Sequence, residues 1–327
     1  MTPLQFESLY EADWKRLEDM VQQCLARGRR GPARAPAVQG EQLAILYRRA
    51  CEQLALARQR AYPPYLVERL ERVTGDAHQL IYQRRQFGAA AFREFIARGF
   101  PRTVRQHRYY VLAASLLFLV PTLVLGVLIH QRPDLVLSVM DANTADMFEQ
   151  MYSGDGESLG RRRDVNSDWA MFGYYIRNNV GVSFQCFAGG LFLGLGSIFY
   201  LVFNGAQAGA VAGYLTERGL GDTFYSFVVT HASFELTAIV LSGAAGLRLG
   251  NALLAPRRLT RRASLVKAAV EVAPMVYGFA LMLLIAAAIE GFWSSATWLP
   301  GVVRYSVAAA CWAGVLSYFI WQGRRAD

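Results

Sequence analysis

The chain has 327 residues, of which 54% are hydrophobic and 18% charged, with a formal net charge of +9. Soluble proteins typically carry about 25% charged residues, so this composition excludes a wholly soluble protein. The four cysteines are widely scattered and have no CxxC spacing, so they support neither a disulfide framework nor a zinc site. No nucleic-acid-binding signature accompanies the positive charge, so we expect no nucleic-acid partner. We expect the basic residues to contact anionic lipid head groups.

The first 108 residues are the most polar part of the chain and carry 19 Lys or Arg and 11 Asp or Glu. Apolar residues recur there at three- and four-residue steps, which is typical of amphipathic helices. Such helices are predicted over residues 4–25, 41–60 and 65–85. We therefore predict a cytoplasmic helical domain over residues 1–108, followed by a transmembrane helical domain over residues 109–327.

The end of the N-terminal domain, FGAAAFREFIARGFPRTVRQHR, combines an apolar side with a cluster of arginines. Arg102, Arg105 and Arg108 are close together just before the first apolar run. This pattern predicts an amphipathic helix on the membrane surface, with its arginines at head-group level. A helix that packs only on its own bundle fits the pattern equally well.

Five apolar runs after residue 109 are long enough to cross a bilayer, because about 20 helical residues span about 30 Å. These predicted spans cover residues 109–129, 180–203, 224–249, 270–289 and 302–321. A shorter apolar helix is predicted over residues 205–217. The loop at 130–177 has 8 acidic and 5 basic residues, so we place it outside the membrane.

The distribution of basic residues sets the expected orientation. The segment before residue 109, the 248–267 loop and the C-terminus are all basic, and by the positive-inside rule all three face the cytoplasm. That arrangement needs an even number of crossings, so residues 205–215 are expected to supply a sixth, short crossing. Alternatively, residues 205–215 enter the membrane and return to the same side without crossing it. The predicted fold is all-α: a polytopic helical membrane protein with five long spans and one short or re-entrant helix.

The predicted functional polar site is centred on His231 and Glu235, which are four residues apart and share one helix face. Charged groups inside a span are costly and often functional, so the pair predicts a proton or ion relay, a substrate contact or a weak metal site. Alternatively, the pair has a structural role and forms hydrogen bonds between helices. We found no third ligand, so no metal, cofactor or catalytic set is assigned. Asn178, Asn179 and Asn204 are predicted to cap helices or line a cavity.

Other polar and small residues are assigned structural roles. Gly205, Gly209 and Gly213 form a small-xxx-small ladder, which favours close helix packing, as do Gly246 and Gly250. Next to Asn204, the ladder is also compatible with a discontinuous helix of the kind found in transporters. Four charged residues near predicted span ends are expected to reach water at the interface: Arg248, Glu271, Glu290 and Arg304.

The order of three motifs is similar to that of the stage II sporulation protein M family of polytopic membrane proteins. The motifs are Asn178–Asn179 at the second span, Asn204–Gly205 with the glycine ladder, and the His231/Glu235 helix that ends in Gly246 and Gly250. The resemblance covers about residues 85–325.

The resemblance implies a non-enzymatic scaffold in the bacterial inner membrane with both termini in the cytoplasm. In spore formers such proteins are associated with a membrane complex that recruits peptidoglycan-degrading enzymes. Other relatives are encoded near MoxR-type ATPases, and the long N-terminal domain fits this second group better. The expected partners are lipids, a second copy of the chain, and envelope proteins or a MoxR-type ATPase. A channel or transporter is the alternative, and a membrane-embedded hydrolase is less favoured.

Overall fold

The computed structural model describes residues 1–28, 37–81, 88–153, 167–296 and 298–324, and every regular element among them is a helix. The chain divides into two compact units, Met1–Ala91 and Phe92–Asp327. The segment between the first two predicted helices, residues 26–40, lies largely outside the described residues. Residues 92–108, which the sequence analysis placed in the N-terminal domain, belong to the second unit.

The N-terminal unit contains the three predicted helices, α1 (Pro3–Gly28), α2 (Ala37–Gln59) and α3 (Pro64–Ile81). Their apolar stripes meet in a core that includes Phe6, Leu17 and Leu70. Inside this core, the Trp14 indole donates a 2.6 Å hydrogen bond to the Gln53 side-chain oxygen. The three-residue and four-residue periodicity therefore predicted this unit correctly.

The second unit is a helical bundle, and five of its helices are long and apolar enough to cross a membrane. Two π-helical turns, Phe95–Gly99 and Ile289–Ser294, and two 3-10 turns, Pro133–Ser138 and Gly189–Leu191, interrupt or connect the helices. The helices are α4 (Ala89–Glu94), α5 (Phe100–Gln106), α6 (Arg108–Gln131), α7 (Ala142–Tyr152), α8 (Asp168–Ala188), α9 (Leu195–Glu217), α10 (Gly221–Leu254), α11 (Arg261–Ala288) and α12 (Gly301–Trp321). The five candidate spans are α6, α9, α10, α11 with the π turn after it, and α12.

The predicted second span over residues 180–203 is wrong. The helix stops at Ala188, and the chain turns through Gly189–Leu191 before α9 begins at Leu195. Gly194 has a φ of +86°, a conformation that glycine adopts without steric cost. Hydropathy alone does not register this break, because the glycines leave the run uniformly apolar. Residues 205–217, predicted as a separate short helix, are the second half of α9.

The glycine ladder of α9 packs directly on the backbone of α6. Gly205 lies against Phe118, Gly209 against Thr122 and Gly213 against Gly126. Residue numbers rise together on the two helices, so α6 and α9 are parallel. The ladder is therefore a packing seam within one chain.

Because α6 and α9 are parallel, the chain must return along the bundle between them, and α8 does so. Phe172 near its start lies beside Gly291, while Cys186 near its end lies beside Gly246. Its 21 residues span about 30 Å, although it is more polar than the five candidate spans. The sixth helix that traverses the bundle is therefore α8 rather than residues 205–215.

The segment before α6 packs on the bundle end where α12 finishes. The Phe100 ring contacts Phe319 at 5.2 Å between centroids and covers Gly278. The Arg105 guanidinium donates to the carbonyls of Phe319 and Gln322 at 3.2 and 2.7 Å. Arg105 thus caps the C-terminus of α12, a favourable position for a cation.

The other two arginines of the predicted membrane-surface group are exposed. Arg108 donates to the Tyr109 hydroxyl and lies over its ring, and Arg102 lies on the outer side of α5. At the same end of the bundle, the Asn251 amide donates to the Tyr110 hydroxyl. The three basic segments of this unit therefore share one end of the bundle.

Candidate intramembrane polar site

The structure places His231 and Glu235 on one face of α10, as their spacing predicts. The His231 Nε2 atom lies 3.9 Å from Glu235 Oε2. His231 is buried, with 4% of its surface exposed. Its other ring nitrogen, Nδ1, is 3.0 Å from the Ser294 hydroxyl, and its ring packs edge-on against Phe227. The imidazole is therefore held on both sides within the bundle.

Glu290 joins this pair from the π-helical turn that follows α11. Its carboxylate accepts a 3.3 Å hydrogen bond from the Asn179 side-chain amide. His231, Glu235 and Glu290 each offer one ligand atom, and these atoms all lie within 4.8 Å of one another. Together with Asn179, these residues form what we call the polar cluster. Glu290 is thus a third potential ligand, which was not recognised from the sequence.

The interface position predicted for Glu290 is wrong, because only 8% of its surface is exposed. A π-helical turn rotates the residues that follow it relative to a regular helix, and such turns are frequent at functional sites. Here the turn brings both Glu290 and Ser294 toward His231. A single acid in the apolar run AAAIEGFW was the only sequence signal for this contact.

Arg304 holds the segment between the π turn and α12. Its guanidinium donates to the carbonyls of Ser294 and Leu299 at 3.3 Å and also to that of Ala296. Since Arg304 is 3% exposed, the interface position predicted for it is wrong as well. Its donors instead fix the turn that carries Ser294. The remaining predicted interface pair, Arg248 and Glu271, forms a 2.7 Å ion pair that is partly exposed.

The three asparagines predicted at the site have different environments. Asn179 is buried within the polar cluster, and the Asn178 amide donates to its side-chain oxygen at 2.9 Å. Asn204 instead donates to the Tyr200 carbonyl within α9 at 2.7 Å. Asn178 and Asn179 therefore belong to one hydrogen-bonded chain that ends at Glu290, and Asn204 does not join it.

Two close glycine contacts fix α10 against the α8–α9 break. The backbone of Gly246 packs on Cys186 and Ser197, and that of Gly250 packs on Gly194. The Ser197 hydroxyl donates to the Cys186 carbonyl at 2.6 Å. These contacts set the position of α10 and of His231 on it.

An aromatic group from α7 covers the polar cluster on the side of the connecting loop. The Tyr152 ring packs edge-on against Phe224 and Phe227 at 5.2 and 5.8 Å between centroids. Burial raises the pKa of Tyr152, and the carboxylates of Glu290 and Glu235 raise it further, so the phenol stays neutral. Two surface grooves, one beside the start of α11 and one between α10 and α12, are lined by other residues.

The arrangement of the spans and of the polar cluster can be compared with known families. Residues 114–295 match the family model described as Stage II sporulation protein M. The chain belongs to the stage II sporulation protein M family. The matched range begins within α6 and continues through α7, α8, α9, α10, α11 and the π turn, so it contains every residue of the polar cluster. The resemblance drawn from the three motifs is therefore confirmed.

The N-terminal unit has its own match. Residues 4–83 match a family described as a domain of unknown function. This range covers α1, α2 and α3, so the stage II sporulation protein M region and the N-terminal unit are separate family modules. No curated protein and no solved structure matches this chain.

Proposed function

We propose that this protein is a non-enzymatic scaffold of the bacterial inner membrane that recruits other proteins to the envelope. The observation that carries the proposal is the pairing of two separately folded modules in one chain. The first, Met1–Ala91, has its own apolar core and the second, Phe92–Asp327, carries the candidate spans. A membrane anchor joined to a polar helical module is well suited to hold a partner at the membrane.

The scaffold is oriented with the basic end of the bundle in the cytoplasm. The segment before α6, the α10–α11 loop and the end of α12 lie at that end, and the positive-inside rule favours the cytoplasm for such segments. The N-terminal unit and both termini are then cytoplasmic. The partners that fit this placement are a MoxR-type ATPase at the cytoplasmic module and envelope proteins at the loop between α6 and α8.

We also propose that the scaffold is a homo-oligomer. Within the most apolar part of α6 and of α12, only 17% of the residues are buried in the chain. The glycine ladder of α9 is already covered by α6, so a second copy would pack on the outer faces of α6 and α12. Lipid acyl chains cover those faces in a monomer.

The scaffold proposal is tested by crosslinking in native membranes, followed by affinity purification and mass spectrometry. The full chain should recover specific partners, and a chain without residues 1–91 should lose the cytoplasmic ones while keeping those of the outer loop. Native mass spectrometry in nanodiscs should show a dimer or larger. A strictly monomeric particle that recovers no partner would contradict the proposal.

A channel or transporter is the second candidate function, and the polar cluster is the observation that favours it. Ionisable groups inside a membrane bundle often mark ion or proton pathways. The test is flux through liposomes for the wild type and Glu235→Gln, with Glu271→Gln as the control for a glutamate outside the polar cluster. If no ion or small solute crosses, or if Glu235→Gln has wild-type flux, this candidate is rejected.

A further inference from the structure

We propose that His231, Glu235 and Glu290 form a binding site for one divalent transition-metal ion, for which zinc is the best fit. The inference is independent of the scaffold proposal and adds a bound ion to the membrane unit. Its basis is geometric: an imidazole nitrogen and two carboxylate oxygens from two different helices lie within 4.8 Å of one another.

The spacing suits a metal after a small contraction. Three atoms at the upper limit of that spacing surround a point about 2.8 Å from each of them, whereas zinc binds nitrogen and oxygen at about 2.0–2.2 Å. The His231 Nε2 and Glu235 Oε2 atoms are already closer, at 3.9 Å. Each ligand atom then needs to approach the ion by at most about 0.7 Å.

Charge balance supports an ion at this position. Glu235 and Glu290 lie close together in an apolar bundle, where two ionised carboxylates repel each other and lack the solvation that water provides. A divalent cation neutralises both of them, and the neutral imidazole adds a third ligand. Arg304 is a basic side chain bonded to the same region, but it is not a counter-ion for these carboxylates. Its guanidinium donates to the carbonyls of Ser294, Ala296 and Leu299.

Two of the three ligands, His231 and Glu290, have hydrogen bonds of the kind that metal ligands usually have. Ser294 bonds the imidazole nitrogen that faces away from Glu235 and so leaves Nε2 for the metal. The Asn179 amide donates to Glu290 Oε2 and orients the carboxylate, which has a second oxygen. Asn178 in turn donates to Asn179 and orients its amide. Each of these bonds fixes a ligand before the ion binds.

The ligand set selects the class of metal. Nitrogen from one imidazole together with two carboxylates suits zinc and neighbouring first-row ions, whereas Mg²⁺ and Ca²⁺ favour sites made of oxygen alone. Three protein ligands leave one position of a tetrahedral zinc ion for water or another small ligand. We therefore expect zinc to bind more tightly than magnesium at this site.

The experiment uses the full chain, purified without a histidine tag, stripped with a chelator and placed in lipid nanodiscs. After equilibration with ZnCl₂ and removal of free ions, mass spectrometry of the metal content should give about one zinc per chain. X-ray absorption at the zinc edge should show one imidazole nitrogen and otherwise oxygen ligands. Mg²⁺ in large excess should not displace the zinc.

Three near-isosteric variants define the site. Glu290→Gln and His231→Gln each remove one ligand and should lose stoichiometric zinc. Asn179→Leu removes no ligand but leaves Glu290 unrestrained, so it should weaken zinc binding about tenfold. The matched control is Glu271→Gln, which changes a glutamate of α11 paired with Arg248 and should keep wild-type zinc content.

Helical circular dichroism and size-exclusion elution establish that each variant is folded. If Glu290→Gln does not fold, Asn179→Leu and His231→Gln decide the question. The proposal is overturned if wild-type protein binds no stoichiometric zinc. It is equally overturned if the folded variants retain as much zinc as Glu271→Gln, or if the absorption spectrum contains no imidazole nitrogen.

Discussion

The backbone of Gly190, in the break between α8 and α9, lies directly against the backbone of Gly246 in α10. A Cβ atom on Gly190 would overlap the Gly246 carbonyl, which is backbone and cannot rotate away. We therefore expect Gly190→Ala to destabilise the membrane unit by about 1–3 kcal/mol, the usual cost of overpacking. Thermal unfolding in detergent, followed by size exclusion, measures the effect.

The control for this substitution is Gly181→Ala in α8, where an added Cβ meets nothing within 4 Å. Alanine has the higher helix propensity, so this variant should be as stable as the wild type or slightly more stable. Equal melting temperatures for Gly190→Ala and Gly181→Ala would show that the Gly190–Gly246 contact is not tight in the membrane.

The path of α8 makes a prediction about sidedness. On a background without the four native cysteines, we expect Phe192→Cys, at the exposed α8–α9 break, to react with an impermeant maleimide from the same side as Ala255→Cys. Asn143→Cys, in α7, should react only from the opposite side. This result follows if α8 crosses the membrane. Labelling of residue 192 from the side of residue 143 would mean that α8 returns without crossing.

Arg304 should be intolerant of the conservative change to lysine. Its planar guanidinium serves three carbonyls at once, whereas an ammonium is a point donor that cannot reproduce this fork. We expect Arg304→Lys to lower stability by about 2 kcal/mol, because buried carbonyls lose their donors. The measurement is again thermal unfolding, with Arg248→Lys, at a partly exposed ion pair, as the milder comparison. A larger loss for Arg248→Lys would contradict this account.

In the N-terminal unit, Trp14→Phe should open the α1–α2 contact. The substitution keeps most of the apolar area but leaves the Gln53 side-chain oxygen buried without its donor, at a cost of about 1–3 kcal/mol. Hydrogen exchange of α2 amides in the full chain should accelerate accordingly. The double variant Trp14→Phe/Gln53→Leu removes both polar groups and should recover much of the protection. If the double variant does not recover protection of the α2 amides, the loss in Trp14→Phe is due to lost ring packing and not to the unpaired Gln53 oxygen.

The N-terminal helices and four of the five candidate spans could be predicted from sequence because their patterns are local. Periodicity places Trp14 and Leu17 on one face, and apolar length alone defines α6, α10, α11 and α12. The α8–α9 boundary could not be predicted in this way. The glycines at this boundary are compatible both with close packing inside one helix and with a break between two helices. Only the contacts of Gly190 and Gly194 with α10 distinguish these two interpretations.

The polar site could be predicted in part. His231 and Glu235 stand out because both are ionisable in the middle of an apolar run, and their spacing fixes their mutual position. Glu290 is 55 residues further along the chain than Glu235 and lies near the end of a run, so its position resembled that of an interface residue. The position of Glu290 beside His231 depends on a π-helical turn and on a hydrogen bond from Asn179. No local sequence pattern predicts the turn or the hydrogen bond.

The parallel seam between α6 and α9 also constrains the order of events during biosynthesis. The loop between α6 and α8 and all of α8 separate these two helices in the sequence, and their synthesis takes on the order of several seconds. During that interval the surface of α6 around Phe118, Thr122 and Gly126 is already in the bilayer without its native neighbour. Lipid, or another helix that is later displaced, must occupy that surface first. Membrane insertion factors that shield nascent helices would therefore act on α6 during this interval.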